Sequence, residues 1–94
     1  MKIEINLLAA YKLLAGKGKI TLQLEENTSV QTVVLQLIKR HPGLKRAWLD
    51  ASGTPQPYLH IFLNGDDIST LADGLETKLV ENDVLEFIPP LSGG

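Results

Sequence analysis

The sequence predicts one α+β domain, with a mixed sheet of four to five strands and one main helix packed on one face of that sheet. Several short segments alternate apolar and polar residues, which is the period of a half-buried strand. One segment instead has apolar residues at the 3.6-residue spacing of a helix. A chain of 94 residues is long enough for one hydrophobic core and too short for two.

The first two strands are predicted on either side of a turn that contains glycine. Residues 3–9 and 19–25 alternate in polarity, and residues 14–18 between them include two glycines. We therefore expect an antiparallel hairpin whose connection is longer than a two-residue turn.

The main helix is predicted by a change of period. Apolar residues at i, i+3, i+4, i+7 and i+8 are Val30, Val33, Val34, Leu37 and Ile38. Thr28 and Gln31 have the spacing of a capping box, and Ser29 is the alternative N-cap. The segment 41–43, His-Pro-Gly, ends the helix. Because valine and isoleucine are weak helix formers, this helix should depend on packing against the sheet.

The remaining elements are shorter. In chain order the sequence predicts a second helix at residues 44–49, a loop at 50–57 and a third strand at 58–63. The start of an edge strand follows at 67–68, and a last strand at 84–88. Pro89 and Pro90 end the last strand because proline cannot donate to a ladder. A β-grasp (ubiquitin-like) arrangement fits this order, with the last strand between the first and the third. That strand order comes from analogy with the fold, since periodicity does not determine it.

Composition and charge exclude several classes of function. A net charge of −2 and an isoelectric point near 5.6 are not typical of a protein that binds nucleic acid or a membrane surface. No apolar run approaches the ~20 residues of a membrane span. Residues 1–6 alternate in polarity, unlike a signal peptide. We therefore expect a cytoplasmic protein.

The residue inventory argues against catalysis by this chain alone. It has no cysteine, which excludes disulfides, thiolate metal sites and a cysteine nucleophile. His41 and His60 lack partners at the spacing of metal ligands, so no metal site is expected. The sequence has no nucleotide-binding glycine loop and no Ser/His/Asp arrangement. We expect a non-catalytic protein that binds no cofactor itself.

The most informative segment is the C-terminal tail, which we place at residues 91–94 after a domain of residues 1–90. Its sequence is Leu91-Ser92-Gly93-Gly94, and it follows Pro89 and Pro90. The prolines stiffen the base of this flexible tail, and its four residues reach at most about 13 Å at ~3.3 Å each. Because glycine lacks a Cβ atom, a Gly-Gly end can enter a narrow channel in a partner's active site.

The carboxylate of Gly94 is the group that we expect to carry the chemistry. An α-carboxylate is ionised at neutral pH and is a poor electrophile. It therefore needs activation, and formation of an acyl phosphate with ATP is the obvious route.

Three motifs in the C-terminal half resemble the ubiquitin-like sulfur-carrier family: Leu63-Asn64-Gly65, the turn at Asn82-Asp83 and the ending from Pro89 to Gly94. The similarity is greatest to the small subunit of molybdopterin synthase and extends to the thiamine sulfur carrier. It covers essentially the whole chain in element order. In that family an E1-like enzyme uses ATP and magnesium to adenylate the terminal glycine, and a sulfur donor converts it to a thiocarboxylate. The sulfur then passes to a precursor inside an acceptor enzyme, such as the large subunit of molybdopterin synthase. The resemblance implies these roles for Gly93 and Gly94.

Other functions stay open at this point. The segment 46–57 is longer than in the shortest members of the family, and with residues 65–68 and 74–77 it resembles a branch that supplies sulfur for cysteine synthesis. A carrier for cysteine or thiamine synthesis is therefore an alternative to the small subunit of molybdopterin synthase. A ubiquitin-like modifier joined through Gly94 to lysines of target proteins is another, and an interaction domain with an idle tail is the third.

A partner surface is predicted at the root of the tail. Alternation in the third strand places Leu59, Ile61 and Leu63 toward the helix and the intervening residues outward. The same argument places Leu8, in the predicted first strand, and Ile88, at the end of the last strand, outward. The predicted surface consists of Leu8, Tyr58, His60, Phe62 and Ile88. An exposed apolar cluster of this kind marks a protein interface, and the alternative is a scatter of ordinary surface side chains.

Overall fold

The computed structural model describes residues 1–90, in which five strands form one mixed sheet. The strands are β1 (Lys2–Leu7), β2 (Lys19–Gln23), β3 (His60–Leu63), β4 (Asp66–Asp67) and β5 (Val84–Ile88). The helices are α1 (Ala10–Ala15), α2 (Val30–Arg40) and α3 (Lys45–Trp48). Short 3₁₀ turns cover Pro42–Leu44, Ile68–Thr70 and Gly74–Glu76.

The last strand lies in the centre of the sheet. The strand order is β2-β1-β5-β3-β4. β5 is parallel to β1, with Leu7 opposite Phe87, and antiparallel to β3, with His60 opposite Ile88. This confirms the predicted α+β class and the β-grasp arrangement. Because β1 and β5 are parallel, both strands finish at one end of the sheet, which we call the tail end.

The helix α2 packs its apolar stripe on one face of the sheet. Val30, Val33, Val34 and Leu37 are buried, as their spacing predicts. Ser29 is the N-cap, since its Oγ accepts a hydrogen bond from the backbone N–H of Thr32 at 3.2 Å. The hydroxyl of Thr28 donates to Glu25 instead, so the capping box does not form.

The connection between β1 and β2 contains a helix that the sequence analysis did not predict. α1 covers Ala10–Ala15, and Gly16 ends it with a φ of 80°. A six-residue helix has too few hydrogen bonds to be stable alone. Its one buried residue is Tyr11, so packing of Tyr11 on the core determines this helix. The chain therefore leaves β1 at Leu7 and not at residue 9 as predicted.

Two element boundaries near β3 also differ from the prediction. β3 begins at His60, because Tyr58 lies in a preceding turn in which the Leu59 N–H donates to the Gln56 carbonyl at 3.0 Å. The edge strand is Asp66–Asp67. It stops before Ile68 because the Asp67 side chain accepts the backbone N–H of Ser69 and caps a 3₁₀ turn.

 The turn from β1 into α1 depends on one strained residue, Ala9. The φ of 50° and ψ of −125° of Ala9 lie in a region that residues with a Cβ atom rarely adopt. Such a conformation costs of order 1–3 kcal/mol and persists only where the surrounding structure requires it. Here it turns the chain out of the sheet, so that Tyr11 can reach the core.

We expect Ala9→Gly to stabilise the protein, because glycine adopts a positive φ without strain. The free energy of unfolding should rise by about 1 kcal/mol, which corresponds to roughly 4–8 °C in Tm for a domain of this size. Urea denaturation and calorimetry measure both quantities. The matched control is Ala10→Gly, which removes a good helix former from the first turn of α1 and should lower stability by ~0.5–1 kcal/mol. A loss of stability in both variants would contradict the assignment of strain to Ala9.

The turn before β5 is held by a buried carboxylate. Asp83 is 7% exposed, and its Oδ2 accepts the backbone N–H of Val80 at 2.8 Å. Its Oδ1 accepts a hydrogen bond from the side-chain amide of Asn64 at 2.9 Å. The amide oxygen of Asn64 accepts the backbone N–H of Val84, also at 2.9 Å. This network joins the β3–β4 turn to the start of the central strand.

Asp83→Ala should lower the free energy of unfolding by about 1–3 kcal/mol, because it leaves the Val80 N–H and the Asn64 amide without their acceptor. Asp73→Ala is the control, since Asp73 is exposed and makes no side-chain capping hydrogen bond, and its effect should stay within about 0.5 kcal/mol. Chemical denaturation of both variants measures the difference. Equal effects would show that the network does not stabilise the fold.

Candidate functional site

The candidate site is the tail root, which we define as Ile88, Pro89 and Pro90. These residues follow the buried part of the central strand, and Pro90 is exposed. The residues predicted to carry the chemistry, Leu91 to Gly94, lie outside the described residues. The described chain therefore ends next to the central strand of the sheet, and the position of Pro90 depends on the packing of the last residues of β5.

A cluster of three aromatic rings fixes the end of β5 from the core side. Phe87 stacks on Trp48 with ring centroids 4.5 Å apart and an interplanar angle of 14°. Tyr11 packs its ring nearly perpendicular to Trp48, at 5.5 Å and 86°. All three side chains are buried, and such pairs contribute about 0.5–1.5 kcal/mol each beyond their buried area. The cluster joins α1, α3 and β5 at the tail end of the sheet.

Two polar atoms of this cluster are buried without a hydrogen-bond partner among residues 1–90. They are the hydroxyl of Tyr11 and the indole Nε1 of Trp48. Burial raises the pKa of the Tyr11 hydroxyl above its ordinary value, and the nearby Tyr58 raises it further. Tyr11 therefore keeps its proton at neutral pH.

The opposite face of β5 is open to solvent. His60, Phe62 and the three residues of the tail root line a shallow depression of about 430 Å³. Ile61, between the first two, is buried on the core side. The structure therefore brings together three of the five predicted surface residues, His60, Phe62 and Ile88, beside the base of the tail.

The other two predicted surface residues lie near this depression but do not line it. Leu8 is 37% exposed, and its backbone N–H donates to the Phe87 carbonyl at 3.2 Å, next to the tail root. Tyr58 is 43% exposed in the turn before β3, close enough to Tyr11 to affect its pKa. A role of these residues in binding a partner stays a prediction.

An acidic group lies beside the depression. Asp67 pairs across the β3–β4 ladder with Phe62. The Ser69 backbone N–H donates to its Oδ1 at 2.9 Å and the Ser69 hydroxyl at 2.8 Å. These hydrogen bonds hold the pKa of Asp67 below its ordinary value, and His60 contributes a smaller effect in the same direction. The edge strand next to β3 thus carries a carboxylate that stays ionised at neutral pH, although Asp67 itself lines a different depression, with Pro55 and Ile68.

The sequence analysis missed two parts of this site. Pro89 lines the depression, and its place beside Pro90 in the tail motif was the available signal. Tyr11 lies between the first two predicted strands, where the sequence predicts no regular element, and no sequence signal places it against Trp48. Trp48 was assigned correctly to a second short helix.

No group of three or more His, Cys, Asp or Glu side chains among residues 1–90 is arranged to hold a metal ion. None of the helices described is long and apolar enough to cross a membrane.

Comparison with known proteins identifies relatives along the full length of the chain. The profile of the ThiS family matches residues 5–94. Small archaeal modifier protein 3 of Haloferax volcanii is 26% identical over 94 residues, which cover 100% of both chains.

Solved structures agree with this match. The solution structure of small archaeal modifier protein 1 from Methanosarcina acetivorans is 29% identical, with a TM-score of 0.85 over 99% of this chain and 96% of that chain. The crystal structure of SAMP1 from Haloferax volcanii has a TM-score of 0.89 at 22% identity and covers 100% of both chains. At 22% identity, the similarity to SAMP1 from Haloferax volcanii is evidence for the fold alone.

The geometry of the tail root predicts opposite roles for two neighbouring residues. Phe87→Ala should lower the free energy of unfolding by about 3–5 kcal/mol, because it leaves a cavity against Trp48. Ile88→Ala truncates a half-exposed side chain and should cost less than about 1 kcal/mol. Thermal and urea denaturation of the two variants measure the contrast, and the tryptophan fluorescence of folded protein should change only in Phe87→Ala. A large loss of stability in Ile88→Ala would contradict the assignment of this side chain to an open surface.

Proposed function

The chain belongs to the ThiS family of ubiquitin-like sulfur carriers, and from this premise we propose that Gly94 is adenylated by an E1-like enzyme and converted to a thiocarboxylate that donates sulfur. The observation that supports this proposal is the position of the tail. It follows the central strand, whose end is packed firmly on one face and open on the other. A partner can therefore hold the domain by its open face while the tail enters the partner's active site.

The proposed chemistry begins with the carboxylate of Gly94. Its oxygen attacks the α-phosphorus of ATP in the activating enzyme, and pyrophosphate leaves. A sulfide-equivalent donor then attacks the acyl carbon, and AMP leaves with the oxygen that was activated. The domain contributes no catalytic group to these steps and acts by presenting the tail. Magnesium belongs to the ATP of the activating enzyme.

As the more specific assignment, we propose the small subunit of molybdopterin synthase, with the large subunit of that enzyme as the sulfur acceptor. The resemblance that suggests this assignment includes the motifs around Asn64 and Asp83. Their side chains are hydrogen-bonded to each other, so the two motifs stabilise the start of β5 and do not select an acceptor. Carriers for cysteine or thiamine synthesis use the same chemistry at Gly94. An assay of sulfur transfer with each purified acceptor enzyme separates these assignments.

A second candidate function is that of a protein modifier, joined through Gly94 to lysines of target proteins. The names of the archaeal relatives favour it, because small archaeal modifier proteins match the whole chain. Both functions begin with the same acyl adenylate. They differ in the nucleophile that attacks it, which is a sulfur donor in one case and a lysine amine in the other.

The proposal predicts a defined change of mass. After incubation with ATP, magnesium, the host's E1-like enzyme and a sulfur source, the intact protein should gain the mass difference between one sulfur and one oxygen atom. Fragmentation should place this change on Gly94. Protein lacking Gly94 should gain no mass and should keep the Tm of the full chain, because the helices and strands described lie within residues 1–90.

Two outcomes would count against the carrier function. If the adenylate forms but only isopeptide-linked conjugates appear, the chain is a modifier. If an E1-like enzyme that is active on another substrate forms no adenylate at all, the tail is idle and the chain is an interaction domain.

A further inference from the structure

The segment around α1 exposes more apolar surface than the fold requires. Leu13 is 83% exposed, Leu14 47% and Leu8 37%. These three are half of the six large apolar side chains that are exposed among residues 1–90, yet they lie within seven consecutive residues. An exposed apolar cluster of this density is typical of a surface that binds another protein.

The same segment is cationic. Between Glu4 and Glu25 the chain has no acidic residue, but it has three of its nine cationic ones, Lys12, Lys17 and Lys19. The Nζ atom of Lys19 lies 3.8 Å from Oε1 of Glu4, and both side chains are substantially exposed. This ion pair therefore contributes little to stability. The surface carried by residues 8–19, which we call the α1 surface, therefore suits a partner with acidic side chains around an apolar patch.

The α1 surface is continuous with the tail root. Leu8 is hydrogen-bonded through its backbone to Phe87, the residue before the tail root. Tyr11 anchors α1 to the aromatic cluster that packs against the same strand. The strained turn at Ala9 sets the direction in which α1 leaves the sheet. A protein that takes up the tail thus meets the α1 surface beside it.

The cationic character continues on the element that packs against α1. The turn Pro42–Leu44 contacts α1, and the next two residues, Lys45 and Arg46, are both exposed cations. Asp50 follows them. The tail end of the sheet is thus the more basic end of a chain whose net charge is −2.

We infer that the α1 surface is the docking site of the E1-like enzyme, and that this enzyme presents an apolar patch bordered by acidic residues. The inference rests on the proposed function. Activation of Gly94 is the step that the carrier and the modifier share, so the activating enzyme is the partner that both require. Because residues 91–94 span at most about 13 Å, the mouth of that enzyme's active site must lie against the tail end of the sheet.

The test is the rate of ATP–pyrophosphate exchange by the host's E1-like enzyme at increasing concentrations of the carrier. Leu13→Ser and Lys12→Glu should each raise KM roughly tenfold, the size expected for an important interface residue, and leave kcat unchanged. The effect of Lys12→Glu should shrink at high salt, since exposed charges are screened. The effect of Leu13→Ser should persist.

Matched controls lie at the other end of the sheet. Val80 is 62% exposed in the turn before β5, and Lys78 is exposed near the start of α2. Val80→Ser and Lys78→Glu should leave KM unchanged. Thermal denaturation of all four variants checks that each is folded.

The outcomes separate this inference from the proposed function. Absence of exchange with the unaltered protein would overturn the proposed function and this inference with it. Normal exchange with unchanged KM for Leu13→Ser and Lys12→Glu would overturn this inference alone. It would also be overturned if the two substitutions weakened only binding of an acceptor enzyme, or only a self-association detected by sedimentation.

Discussion

The stacking of Phe87 on Trp48 is the contact on which the rest of the structure depends. It holds the end of the central strand against α3, and Tyr11 extends the same cluster to α1. The position of the tail root, the position of α1 and the closure of the core at this end all follow from these three rings. Two of the rings carry a buried polar atom that has no partner among residues 1–90, so apolar packing there outweighs the loss of hydrogen bonds to water.

The alternation of side chains along β5 separates stability from recognition within one strand. Leu85 and Phe87 are buried in the core, whereas Glu86 and Ile88 lie on the open face. A substitution on one side therefore changes the free energy of unfolding, and a substitution on the other changes the surface that a partner meets. The short distance between the two faces explains how a domain this small can pack the end of β5 firmly and still expose a depression at the tail root.

The sequence was sufficient for the regular elements and insufficient for those that depend on tertiary contacts. The apolar stripe from Val30 to Leu37 predicted α2, and the alternation of polarity along residues 84–88 predicted β5. In both segments the pattern repeats often enough to distinguish the period of a helix from that of a strand. α1 was missed because six residues form a helix here only through the burial of Tyr11. The early start predicted for β3 had the same origin, since the turn at Tyr58 is set by contacts of the loop before it.

The candidate site was predicted in part for a related reason. His60, Phe62 and Ile88 came from strand parity and from the strand order of the β-grasp fold. The α1 surface could not be predicted, because the apolar residues around Leu13 fit a turn, a strand or a helix equally well until Tyr11 is placed. The resemblance to the family depended on the tail and on two turns, and the hydrogen bond between Asn64 and Asp83 explains why those turns occur together.

The central position of β5 has a consequence for synthesis of the protein on the ribosome. β5 completes the sheet and is the last of the five strands to emerge, so β1 and β3 have no common neighbour until residues 84–88 have left the ribosome. A chain that stops early lacks the middle of its sheet and exposes the apolar side chains that Phe87 and Leu85 would cover, which marks it for degradation. Folding of the sheet therefore waits for β5, and a nascent chain becomes resistant to proteases only after residues 84–88 have left the exit tunnel.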